Sequence, residues 1–279
     1  MANGLMDAPF MDLISEALAN TANAEVQEPQ EGCVDKNAQT AAIVVAGGSG
    51  ERFGAVGGKQ LVDIAGKPML TWSIDAFDRV GDVGLIVVLC PKDRMEEYRA
   101  VAIEPFNFVT PIVMAEAGDS RQESAFSGLE AVPDTFEYTL VHAGARPLVS
   151  PNLAAHAISA LKGNIDADGV VLATPAVDTL KLVQDGVIMG TPDRKVLWNA
   201  QTPQVFRTSI YRRAHASALS DGFSGTDDSS LIERLGGRVL IVEGRRDNIK
   251  LTVPEDALLL ATAVNALRVH SQEPRQDLL

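Results

Sequence analysis

A chain of 279 residues that is 46% hydrophobic and 22% charged can bury a sizeable core as one large or two small domains, which excludes a disordered or fibrous protein. Its 37 acids against 24 Lys and Arg leave a net charge of -13. Long-range repulsion therefore disfavours nucleic acid and anionic membranes as partners, while a local basic pocket still admits small anions.

Residues 1–39 carry seven acids (Asp7, Asp12, Glu16, Glu25, Glu28, Glu31, Asp35) and one base, Lys36. Phe10, Leu13, Ile14, Ala17 and Leu18 recur at helical spacing, which predicts a short amphipathic helix over 8–20 followed by a polar linker. The segment lacks a basic leader and no apolar run reaches membrane-spanning length. Cys33 and Cys90 form no C-x-x-C pair, which fits a reducing compartment, and Cys90 is expected in the core. The expected localisation is cytoplasmic. Residues 40–268 form the expected domain, with a C-terminal tail over 269–279.

From Thr40, apolar runs alternate with helical patterns: strands over 41–46, 84–90, 138–143, 169–177 and 239–244, helices over 68–80, 121–132, 152–162 and 254–267. Continuous Val/Ile/Leu runs indicate strands buried on both faces, hence an α/β fold with a three-layer, doubly wound, mainly parallel sheet. Between the last two strands, residues 177–196 alternate around Asp185-Gly186, which predicts an antiparallel β-arm projecting from the sheet.

Ligands of such sheets bind beyond the strand C-termini. After the first strand comes Ala46-Gly47-Gly48-Ser49-Gly50-Glu51-Arg52-Phe53, then Lys59-Gln60: glycines that let backbone N–H groups surround an anion, with two cations beside them. Phe53 breaks both the P-loop and the dinucleotide fingerprint. Gly118-Asp119-Ser120-Arg121-Gln122-Glu123-Ser124 opens a helix; Ser120 and Glu123 have capping-box spacing, leaving Arg121 and Ser124 at the positive end of the helix dipole. His142-Ala143-Gly144-Ala145-Arg146 follows another strand, with an arginine able to grip phosphate. His142 has no metal-binding partner pattern. Ser230 and Glu233 have capping-box spacing again, after Asp227 and Asp228. Arg245, Arg246, Asp247 and Lys250 form a charged rim after the last strand, suited to a phosphate and a metal ion together. No G-x-S-x-G is present, so phosphate chemistry is favoured over esterase chemistry.

The motifs AGGSGERFG…GKQ, AGDSRQESAFSGL, HAGARP, PAVDTLK, DRKVLWNAQTPQVF, GTDDSSLIE and VEGRRDNIKLT, in this order across residues 41–267, resemble the 2-C-methyl-D-erythritol 4-phosphate cytidylyltransferase family. The resemblance implies a Rossmann-like nucleotidyltransferase fold, and transfer of CMP from CTP to a polyol phosphate with release of pyrophosphate, assisted by Mg²⁺ or another divalent cation. It implies Arg52, Lys59 and Lys250 as catalytic cations. Ala46, Gly47, Gly48, Ser49, Gly50, Gly118, Asp119, Arg121, Ser124 and Gly144 would bind CTP. Arg146, Thr179, Arg194, Thr202 and Thr226 would bind the polyol phosphate, Thr179 and Arg194 from the arm of a homodimer partner. The family reads His-Asp where this chain has His142-Ala143, which leaves Asp247 as the candidate metal ligand. Three explanations stand: a weakened enzyme, a catalytically silent form, or a deliberate substitution. The alternatives to the methylerythritol enzyme are a ribitol-5-phosphate cytidylyltransferase and a non-catalytic nucleotide-binding protein.

Overall fold

Apolar side chains on both sides of a strand require cover on both faces, and helices supply it on each side of a central sheet. The structure, a computed structural model, describes residues 38–48, 58–253, 256–260 and 262–264. The expected helix over 8–20, Cys33, and the glycine-loop residues Ser49, Gly50, Arg52 and Phe53 lie outside the described residues.

In chain order the elements are β1 (Thr40–Val45), β2 (Asp63–Ile64), β3 (Lys67–Pro68), α1 (Met69–Asp78), β4 (Val83–Cys90), α2 (Met95–Ala102) and β5 (Ile112–Glu116). Next come α3 (Arg121–Glu130), β6 (Tyr138–Ala143), α4 (Pro151–Lys162), β7 (Gly169–Pro175), β8 (Leu182–Gln184) and β9 (Val187–Gly190). The last are β10 (Trp198–Arg207), α5 (Thr208–Ser220), α6 (Ser229–Arg234) and β11 (Val239–Glu243). Residues 256–260 and 262–264 are helical, within the helix expected over 254–267.

Among the described residues the main sheet has the order β11-β7-β10-β6-β1-β4-β5. Neighbours are parallel except at β10, which runs antiparallel to both β6 and β7. The sequence patterns do not reveal β10: it is polar at Asn199, Gln201, Thr202 and Gln204, and Pro203 falls in the register irregularity between Ala200 and Gln204.

The two faces separate cleanly. Leu70, Ile74 and Phe77 of α1, Tyr98 of α2 and Leu153, Ile158 and Leu161 of α4 pack on one side. Leu129 of α3, Tyr211 of α5 and Leu231 and Ile232 of α6 pack on the other. Cys90 is fully buried on the first face, and burial pushes its thiol up to about 11, so it is an inert packing residue. A smaller third cluster joins Ile64, Met69 and Ala145 to Leu251, Ala257, Leu260 and Val264, tying the C-terminal segment to the strand-end loops.

The winding reverses between β1 and β6: β4 and β5 extend the sheet on one side, β10, β7 and β11 on the other. The C-terminal ends of β1 and β6 lie side by side at this switch point, the place where sheets of this kind form a ligand-binding crevice.

The arm is a two-stranded antiparallel unit, β8 with β9. Asp185 (φ 51°) and Gly186 (φ 78°) both take left-handed backbone, the requirement of a tight hairpin turn. Strand structure begins at Leu182, so Thr179 and Lys181 precede it; Lys181 Nζ donates to Thr191 Oγ1 at 2.8 Å instead. Leu182, Val183, Val187, Ile188 and Met189 are each about 60% exposed, an apolar surface that no part of the same chain covers among the described residues.

Candidate active site

The crevice at the switch point is built by close backbone approach. A Cβ added to Gly47 would lie 2.1 Å from Ala117 Cβ, so only glycine lets the first loop lie against the end of β5. Lys59 Nζ donates to Leu251 O at 2.6 Å, and Leu251 N–H donates to Ala145 O at 2.8 Å. These bonds lock the segment after β11 to the loops after β1 and β6. The capping box of α3 forms as its spacing predicts: Glu123 N–H donates to Ser120 Oγ and Ser120 N–H to Glu123 Oε2.

Two cavities open here. One, of about 980 Å³, is lined by Gly47, Gly48, Lys59, Gly118, Asp119, Arg121, Ser124, Ala143 and Lys250, and by Lys92 and Glu116, which pair at 3.1 Å. The other, of about 810 Å³, is lined by Arg121, Ala143, Arg146, Gln201, Thr202, Gln204, Thr226, Asp227, Glu233 and Lys250. Arg121, Ala143 and Lys250 belong to both. Two compartments therefore meet at a seam lined by Lys250 and by Arg121, whose guanidinium is ion-paired with the buried Asp228.

Arg146 is the most exacting group in the second cavity. One guanidinium nitrogen, Nη1, donates to the carbonyl of Asn248, whereas Nε is buried without a hydrogen-bond partner among the described residues. Among the described residues it makes no ion pair, and burial pushes it down to about 10. A cation desolvated without a counter-ion costs stability unless an anion completes the site.

Beneath it, His142 is fully buried and desolvation pushes it down to about 3, so the ring is neutral. Its Nε2 faces the Arg146 carbonyl at 3.2 Å and must carry the hydrogen; Nδ1 therefore accepts from the Thr202 hydroxyl at 3.1 Å, and Thr202 Oγ1 accepts Ala143 N–H at 3.0 Å. This assignment uses the Thr202 hydroxyl hydrogen within the protein.

The 2-C-methyl-D-erythritol 4-phosphate cytidylyltransferase (IspD) family model matches residues 40–266. The chain belongs to that family. The protein of that name from Syntrophotalea carbinolica is 41% identical over 218 residues, 78% of this chain and 92% of the relative. The one from Prochlorococcus marinus is 41% identical over 232 residues, 82% of this chain and 99% of the relative. Among solved structures, 4-diphosphocytidyl-2C-methyl-D-erythritol synthase from Anaerococcus prevotii superposes with a TM-score of 0.72 at 28% identity, covering 82% of this chain and all of that one. The chain is thus a cytidylyltransferase, an enzyme of the nucleotidyltransferase class.

Within this family frame, most positions singled out from sequence fall on the cavity walls, and several do not. Ala46 is buried and its carbonyl accepts the Tyr98 hydroxyl at 3.3 Å; Gly144 N–H donates to Val45 O. Both support the loops and line neither cavity. Ser124 lines the nucleotide-sized cavity but donates its hydroxyl back to Ser120 O at 2.8 Å. Thr179 and Arg194 lie on the exposed arm, where Arg194 Nη1 donates to Val177 O at 2.9 Å.

The charged rim after β11 departs from its sequence reading. Arg245 and Asp247 pair with each other at 2.6 Å, which holds the Asp247 carboxyl below its ordinary range; neither lines a cavity. Their short separation in sequence lets the pair close locally, leaving only Lys250 of that rim in the site. The expected Ser230–Glu233 capping box also fails to form. Asp227 Oδ1 accepts Ser230 N–H at 3.1 Å, while Glu233 accepts the Ser229 hydroxyl at 2.8 Å.

Sequence reasoning missed Gln201 and Gln204, concealed in a strand without an apolar pattern, and the role of Asp228, whose partners are distant in sequence. Among the described residues, no group of three or more His, Cys, Asp and Glu side chains is placed to hold a metal ion, and none of the helices is long and apolar enough to cross a membrane.

The buried histidines make the fold acid-sensitive. Burial pushes His142 to about 3 and His215 to about 4 from 6.5. The unfolded chain binds protons that the folded one refuses, so stability is full above pH 6.5 and falls as pH drops toward 4, by roughly 2 kcal/mol per histidine at pH 5. His215 Nε2 has no hydrogen-bond partner among the described residues. In His215→Met, the stability lost between pH 7.5 and pH 5, measured by urea unfolding, is expected to shrink by about that amount; an unchanged loss refutes the assignment.

Proposed function

We propose that the protein transfers CMP from CTP to 2-C-methyl-D-erythritol 4-phosphate, with the nucleotide in the larger cavity and the acceptor phosphate on Arg146. The observation that carries this reading is the pair of cavities meeting at the cationic seam of Arg121 and Lys250. A phosphate oxygen of the acceptor forms a bond to the α-phosphorus of CTP. The bond from that phosphorus to the β-phosphate oxygen breaks, and pyrophosphate leaves. No protein nucleophile is required; the barrier lies in bringing anions together, so the protein supplies positioning and positive charge.

Gly47 and Gly48 give the nucleotide close access to backbone, and Lys59 stands over the same cavity. Gly118 and Asp119 line the wall where cytosine and ribose would lie, with Thr226 and Thr202 on the acceptor side. The described residues do not form a resident metal site, because Ala143 offers no ligand and Asp247 is engaged elsewhere. Mg²⁺ would accordingly be carried by the triphosphate, where it would offset the charge of the reacting phosphates.

The exposed apolar arm is read as a dimerisation element: a second copy covers it, and its Thr179 and Arg194 reach the partner's acceptor cavity. On this reading both substrates are small soluble anions and the enzyme works in the cytoplasm.

Purified protein with Mg²⁺ and CTP is expected to release pyrophosphate when methylerythritol phosphate is added, with ribitol 5-phosphate a poor substitute. Activity per chain should fall on dilution through the dimer dissociation range. Preference for ribitol 5-phosphate would overturn the substrate assignment; CTP binding without turnover would identify a silent homologue.

A further inference from the structure

The carboxylate of Asp228 occupies a position that helix capping does not explain. It precedes α6 but accepts no cap hydrogen bond from that helix. It is 1% exposed and turns instead to α3 and α5. There Oδ2 receives Nη2 of Arg121 at 2.5 Å, across 107 residues of sequence, and Oδ1 receives the Tyr211 hydroxyl at 2.7 Å. Tyr211 is fully buried in α5, stacked on Phe206 with ring centroids 4.8 Å apart. A rigid aromatic anchor therefore holds a carboxylate from the core side, and the carboxylate holds the guanidinium from below.

Arg121 is the first residue of α3 and lines both cavities. A long side chain at a seam between two anions has many rotamers, most of which place its charge elsewhere, and freezing it during reaction would raise the barrier. The ion pair removes that freedom in advance. Burial alone would lower the Arg121 pKa, but the charge and hydrogen bond of Asp228 more than offset it, so the cation persists at all working pH values.

We propose that Asp228, held from the core by Tyr211, is a positioning residue that fixes Arg121 at the seam, where the guanidinium contacts the reacting phosphates. The inference rests on the cytidylyl-transfer reading above and extends it to residues buried behind the cavity wall. Asp228 is not a metal ligand or a proton carrier in this arrangement; both its oxygens are occupied by donors. Arg121 is the catalytic residue and Asp228 acts through it.

The test is a double-mutant cycle read in two ways, turnover and calorimetric binding of CTP with Mg²⁺, on wild type, Arg121→Met, Asp228→Asn and the double variant. Asp228→Asn is expected to lower kcat/KM for the acceptor about tenfold and to cost little or nothing further once Arg121 is Met. Tyr211→Phe, which keeps the ring stack and removes one hydrogen bond, should move in the same direction by a smaller factor. Arg121→Lys should resemble Asp228→Asn, because an ammonium cannot use the carboxylate and reach the seam with the same planar fork. If wild type binds CTP but does not turn over, the same cycle read in CTP affinity should show the same non-additivity.

A merely structural role for Asp228 predicts an equal loss in both backgrounds, tracking thermal stability, and that additivity overturns the proposal alone. Wild type that neither binds CTP nor turns over overturns the cytidylyl-transfer reading first, and this inference with it.

Discussion

Lys250→Met is expected to lower kcat by about 10²–10³-fold, on the order of 2.7–4 kcal/mol of transition-state stabilisation. Lys250 lines both cavities, so on the proposed reading its charge would serve the point where the acceptor oxygen, the α-phosphorus and the departing pyrophosphate coincide. Charge builds there only during transfer, so the loss should fall mainly on kcat, with a smaller rise in the KM for CTP. Lys250 is tethered through its neighbours: Leu251 is fully buried and bridges Lys59 and Ala145 through its backbone. The variant should consequently retain its fold, checked by unchanged thermal unfolding. A kcat within threefold of wild type would place the chemistry away from the seam.

Ala143→Asp is expected to raise kcat by about 30-fold at saturating Mg²⁺, on the order of 2 kcal/mol, and to lower the Mg²⁺ concentration giving half-maximal rate. Strand periodicity points residue 143 away from the fully buried His142, and Ala143 lines both cavities, so a carboxylate there enters them. Lys250, which lines the same two cavities, would favour its ionised form. The carboxylate would give a triphosphate-bound metal one fixed protein ligand and so restrict the geometry of attack. Steady-state rates over a Mg²⁺ titration measure both effects. If neither the rate nor the Mg²⁺ dependence changes, residue 143 is not what limits this enzyme. A lower rate would mean that the seam works better with no carboxylate at residue 143.

These two variants probe opposite aspects of one arrangement. Lys250 tests whether the positive charge at the seam is used; Ala143 tests whether the absence of a carboxylate there restricts the rate. Arg146 links them on the proposed reading, since its guanidinium, desolvated and with no ion pair among the described residues, would be stabilised by the acceptor anion that both variants need.

Much of this architecture is legible in the chain itself. The runs at 84–90 and 138–143 show no alternation, and strands hidden on both faces are the physical reason. Asp185-Gly186 forecasts the arm's turn because few residue pairs tolerate two left-handed conformations in succession. Ser120 and Glu123 forecast their helix start because a capping box closes within four residues. Signals of this kind are local: the atoms that interact are separated by a few bonds of backbone, so spacing alone specifies them.

What spacing left open required the assembled chain. β10 carries Gln201, Thr202, Pro203 and Gln204 in the middle of the sheet, where its polar side chains serve the cavity instead of the core, so it bears no strand pattern. Arg245 and Asp247 have the composition of an ion site but neutralise one another, because two residues of separation let their side chains meet before any ligand does. Asp228 has the position of a helix cap, yet its carboxylate joins Tyr211 and Arg121. Sequence by itself determined the layers, the family and the loops that carry charge; only tertiary structure decided which charges face one another, because long-range Coulomb and hydrogen-bond partners are selected by folded distance rather than by chain order.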